Sequence, residues 1–156
     1  MVGNEIGRYY EDFKPGAVIE HAMSKTVFES DNNLFCLLTM NPHPLHTNVH
    51  YAERTEFGQP LVVGTLVFSL VVGMTVMDVS GKAVANLGYE AVEHLAPVFV
   101  GDTLYARTEV LSCRESRSRP NCGIVAVETT AWNQDKTDVL RLRRTILVPK
   151  RRGDGG

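Results

Sequence analysis

The chain has 156 residues, 44% of them apolar, with 16 Lys and Arg against 18 Asp and Glu and a net charge of −2. A chain of this length buries roughly two thirds of its unfolded surface, enough for one core without disulfides or a structural metal, and its balanced charge predicts no broad surface for nucleic acid or an anionic membrane. Cys36, Cys113 and Cys122 form no CxxC pair and make an odd count, which excludes a fully paired disulfide framework and a zinc knuckle and predicts a reducing, cytoplasmic setting.

In chain order, the first residues lack the basic and apolar regions of a secretory signal. Residues 24–30 (SKTVFES) mix β-branched and aromatic side chains and predict a strand. Residues 31–39 (DNNLFCLLT) open on capping residues and run apolar, which predicts a short helix starting after Ser30 or Asp31. Residues 50–56 predict another. Residues 61–77 (LVVGTLVFSLVVGMTVM) carry no charge. As a strand they would run about 56 Å, far beyond the usual range. As a helix they span about 26 Å, just short of a bilayer core, with no aromatic or basic belt. An all-round apolar helix is a buried one, and Pro60 suits its first turn.

Strands to wrap this helix are predicted at 83–95, 103–113, 124–132 and 139–148, where apolar and polar residues alternate in whole or in part. Turn residues at 97–102, 118–123 and 133–136 separate the later ones, so the last three read as an antiparallel meander. The sum is an α+β domain: one long buried helix in a curved antiparallel sheet of five or six strands. Residues 8–150 form the domain, and 1–7 and 151–156 are flexible ends.

Between the first helix and the long one runs Thr39-Met-Asn-Pro-His-Pro-Leu-His46. Its two prolines exclude a regular helix and favour a rigid loop that presents Asn41, His43 and His46. Phe57-Gly-Gln-Pro-Leu-Val-Val-Gly-Thr65 follows and opens the buried helix, whose free N–H groups could stabilise a developing oxyanion.

These two segments, followed by Pro97-Val-Phe-Val-Gly-Asp-Thr-Leu104, resemble the MaoC-like (R)-specific enoyl-CoA hydratases of the hotdog fold. The hydratase motif of that family runs Asp-x-Asn-Pro-x-His. Pro44, Leu45 and His46 match it, whereas Asn41 stands at the aspartate and His43 at the asparagine. The resemblance implies that His46 activates water and Asn41 orients it, and that the N–H near Gly64 faces the thioester oxygen. Val63, Thr65 and His43 would help bind substrate. Within the family, Asn41-Pro-His-Pro-Leu-His46 together with Arg114-Glu-Ser-Arg-Ser-Arg-Pro120 looks most like the branch acting on mesaconyl-CoA or itaconyl-CoA, with Arg114, Arg117 and Arg119 as candidates for the CoA phosphates. No cofactor is expected, since CoA belongs to the substrate, and no metal, because no HExxH or Cys/His spacing is present. A homodimer or dimer of dimers is expected. A hotdog acyl-CoA thioesterase and a non-catalytic acyl-CoA-binding subunit remain as alternatives.

Overall fold

The computed structural model describes residues 5–152, so residues 1–4 and 153–156 of the expected flexible ends lie outside it. Within the described part, Gly7 N–H donates to the Met77 carbonyl at 2.7 Å, and the Arg151 guanidinium meets Asp12 at 2.7 Å.

The elements run β1 (Val18–Glu20), β2 (Lys25–Thr26), α1 (Glu29–Thr39), α2 (Pro44–Thr47), α3 (Val49–Ala52), α4 (Gly64–Met74), β3 (Ala85–His94), β4 (Thr103–Glu115), β5 (Cys122–Trp132) and β6 (Asp138–Pro149). All strand pairs are antiparallel, in the order β1-β4-β5-β6-β3, with β2 also on β4. The predicted meander is β4-β5-β6. Along β4, Leu104, Ala106, Thr108 and Val110 are buried while Tyr105, Arg107, Glu109 and Leu111 are exposed. A one-residue slip would exchange those faces, so the alternation itself holds the register that pairs Tyr105 with Trp132.

Helix α4 supplies Leu66, Val67, Val71 and Met74 to a core completed by Leu104, Ala106, Ala131, Leu140 and Leu142 from the sheet. Full burial of a side chain such as Val71 contributes about 1.5–3 kcal/mol. A second cluster, Phe13, Val79, Val110, Val125, Val127, Ile146 and Val148, fills another part of the sheet. Beside it His21 is tied into a polar chain. Its Nδ1 lies 2.9 Å from Asp78 Oδ2, its Nε2 lies 2.7 Å from Thr108 Oγ1, and Thr108 reaches Thr129 at 2.8 Å.

Several expectations are corrected. The helix expected over 61–77 begins only at Gly64, because Leu61 pairs with Phe99 in an isolated β-bridge; Pro60 therefore lies in the preceding loop. The helix ends at Met74 and is followed by a wider π turn, Val76–Ser80. It is also not buried all round, since Thr65, Ser69 and Gly73, spaced four apart, leave one face exposed. The strand expected at 24–30 shrinks to β2, and α1 starts at Glu29, where Asp31 reaches back to accept the Phe28 N–H at 2.9 Å. Residues 50–56 give only the single turn α3. The prolines of the 39–46 segment do not exclude helix: Pro44 opens α2, at a position where its missing N–H costs nothing.

Candidate active site

The site is organised where α1, α2 and the approach to α4 meet. Asn32 faces inward from α1, one turn before Cys36, and is 2% exposed. Its side-chain amide donates to the His46 and Leu61 carbonyls, each at 3.2 Å, and its Oδ1 accepts the Val63 N–H at 3.0 Å. One buried carboxamide thus locks α2, the Leu61 bridge and the start of α4 together. An apolar residue there would leave the Val63 N–H without its partner in the interior.

His46, half-buried on α2, has Nδ1 at 2.7 Å from the Leu61 carbonyl oxygen. A carbonyl can only accept, so Nδ1 carries the proton and the neutral ring presents Nε2 as a lone-pair base. His43 is held the opposite way. The Leu45 N–H donates to its Nδ1 at 3.1 Å, so its Nε2 carries the proton. The two rings lie 5.8 Å apart between centroids, and Tyr51 packs edge-on to His43 at 6.4 Å. Asn41 is half-buried and its Oδ1 accepts the His43 N–H at 3.1 Å, an Asx turn that sets the entry to α2. His43, not Asn41, is therefore the ring neighbour of His46.

At the start of α4, Val63 spends its N–H on Asn32, while those of Gly64 and Thr65 have no hydrogen-bond partner among the described residues. Gly64 lines a cavity of about 330 Å³ with Phe57, Leu61, Val67, His94 and Val98, among others. His46 lines a neighbouring cavity of about 280 Å³ with Asn32, Gln59 and Pro60. Leu61 joins them, its carbonyl holding His46 and the residue lining the Gly64 cavity. Arg114, Arg117 and Arg119 lie elsewhere. Arg114 pairs with Ile124 near the end of β4, roughly 36 Å of extended chain from Thr103, whereas Leu61 bridges to Phe99 just before that strand begins. One chain alone does not bring these arginines to His46.

Among the described residues no three His, Cys, Asp or Glu side chains gather as a metal site. No helix is long and apolar enough to cross a membrane. The cysteines are free, and burial pushes the Cys36 and Cys113 thiols upward, away from nucleophilic use at neutral pH. Asn32 is the residue that the sequence left unassigned. The available signal was a carboxamide at i with Cys36 at i+4, placing a polar group on the apolar face of α1.

A helix held against an antiparallel sheet, with a proline-rich histidine segment near its first amides, defines a hotdog domain. The chain belongs to the MaoC like domain family, which it matches over residues 12–133. It is 38% identical to a mesaconyl-CoA hydratase of Cereibacter sphaeroides over 93% of this chain and 42% of that protein. An (R)-specific enoyl-CoA hydratase of Rhodospirillum rubrum is 29% identical over 92% of this chain and 93% of its own length. Among solved structures, a putative MaoC domain protein dehydratase from Chloroflexus aurantiacus superposes with a TM-score of 0.92 and 32% identity, over 100% of this chain and 44% of that one. A Mycobacterium tuberculosis protein described as a double hotdog fold matches with a TM-score of 0.86 and 25% identity, over 96% of this chain and 46% of that one. The chain thus spans less than half the length of the mesaconyl-CoA hydratase it matches.

Proposed function

We propose that this chain hydrates the carbon–carbon double bond of a 2-enoyl-CoA thioester, reversibly, to a hydroxyacyl-CoA. The observation that carries the reading is the Nδ1–H of His46 donated to Leu61 O, which leaves Nε2 as a base in a site tied through Asn32 to the start of α4. His46 Nε2 takes a proton from water as the water oxygen bonds to Cβ. The π electrons shift onto the thioester oxygen as an enolate, which faces the free N–H groups of Gly64 and Thr65. The imidazolium then returns a proton to Cα and regenerates the base. Asn41 retains a second lone pair on Oδ1 and can orient the water without taking its proton.

The names of the relatives favour a five-carbon dicarboxylic acyl group such as mesaconyl, and the acyl chain lies in the apolar cavity beside Gly64. The working unit is a homodimer. β3 is an unpaired edge of ten residues carrying exposed Leu87, Tyr89 and Val92, and such an edge invites a second strand. The match to less than half of a double hotdog protein is consistent with a second copy taking the place of its other half.

Incubation with crotonyl-CoA and mesaconyl-CoA, following loss of the enoyl absorbance and release of free thiol, tests the reading. Enoyl loss without thiol release is expected. Thiol release would mean a thioesterase, and tight binding with neither change would mean an acyl-CoA-binding subunit.

A further inference from the structure

The cavity beside Gly64 is lined by Phe57, Leu61, Val67 and other apolar groups, with His94 as its single polar side chain. His94 ends β3, and its imidazole lies over Gly64: a Cβ built on that glycine would meet His94 Cε1 at 3.0 Å and Nε2 at 3.1 Å. A Cβ stands about 2.5 Å from its own amide nitrogen, so Nε2 is no more than about 5.6 Å from the Gly64 N. One oxygen can accept from two donors up to about 5.8 Å apart when each hydrogen bond is near 2.9 Å. Neither ring nitrogen of His94 has a hydrogen-bond partner among the described residues, and the adjacent Gly64 N–H is also unused. His94 is exposed at the open side of this apolar cavity, so its ring nitrogens are accessible from solvent, and its ring stands against an open amide where one ligand oxygen can reach both donors.

We propose that His94 is a further catalytic residue, its Nε2–H donating to the thioester oxygen together with the Gly64 N–H. It forms no bond to substrate and transfers no proton; it stabilises the charge that the π electrons deliver to that oxygen as water adds at Cβ. A methyl at Gly64 would press on the imidazole and shift it by a few tenths of an ångström.

The inference rests on the hydration reading and is tested with His94→Phe and His94→Gln. Turnover of crotonyl-CoA is measured alongside the near-ultraviolet enolate absorbance of bound acetoacetyl-CoA, a stable thioester whose enolate places charge on the same oxygen. His94→Phe is expected to lower kcat by about 10²-fold with KM within about threefold, as loss of one oxyanion donor does. It is also expected to abolish the enolate band seen with the unaltered chain. His94→Gln, which keeps a donor, should recover much of both. An unchanged kcat, an enolate band that survives in His94→Phe, or a His94→Gln variant as impaired as His94→Phe would overturn the assignment. If the unaltered chain hydrates no enoyl-CoA, the hydration reading fails on that result alone. The enolate band still decides whether His94 binds the thioester oxygen.

Discussion

Asn32 is where stability and chemistry are most tightly joined. In Asn32→Ala, the Val63 N–H and the His46 carbonyl lose their side-chain partner together, while the Leu61 carbonyl keeps the His46 Nδ1–H. A buried unsatisfied group costs about 1–3 kcal/mol. Val63 is 5% exposed and bears the full cost, whereas His46 is half-buried and water can relieve part of it. The sum is about 2–4 kcal/mol, or a fall in Tm of roughly 5–15 °C for a domain of this size. Urea unfolding at pH 7 measures it, with Asn33→Ala, an exposed neighbour, as a control expected within about 0.5 kcal/mol. Asn32→Asp should be at least as harmful: it keeps an acceptor for Val63 but turns a carboxylate toward two carbonyl oxygens. An Asn32→Ala variant as stable as the unaltered chain would refute the role of this carboxamide in joining α1, α2 and α4.

At the start of α1, the Lys25 ammonium, then the Phe28 N–H, hold the Asp31 carboxyl below the usual carboxylate range. Its contribution is present above the unfolded pKa of about 3.9 and is lost as pH falls through the lower folded value. Asp31→Ala should therefore cost about 1 kcal/mol at pH 7, and the gap should close in unfolding curves taken well below pH 4. Gly64→Ala places a methyl against His94 and should lower kcat far more than it lowers Tm, as turnover and thermal unfolding will read. Leu87→Asp combined with Val92→Asp puts charge on the open edge of β3 and should shift the chain to monomer in sedimentation, with activity falling if the site needs the pair.

Much of the architecture could be read before any coordinates. The 103–113, 124–132 and 139–148 segments alternate in step with a half-buried strand, and β4, β5 and β6 extend them by only a few residues. What escaped was decided by partners distant in sequence. Leu61 belongs to the same uncharged run as Leu66, yet its bridge to Phe99 makes it extended. β1 and β2 are two or three residues long and exist because β4 offers them an edge. Asn41, His43 and His46 could be picked out by residue type, but the opposite tautomers of the two histidines follow from a carbonyl at one ring and an N–H at the other. His94 looked like an ordinary strand residue; only its position over Gly64 distinguishes it. His21 likewise gave no hint in the sequence of its contacts with Asp78 and Thr108.

The most direct test of the account is the turnover of an enoyl-CoA by His46→Gln, whose side-chain amide can still donate to the Leu61 carbonyl but offers no basic nitrogen to water. The account predicts a loss of at least about 10²-fold in kcat. A folded His46→Gln chain that hydrates at nearly the unaltered rate would contradict it.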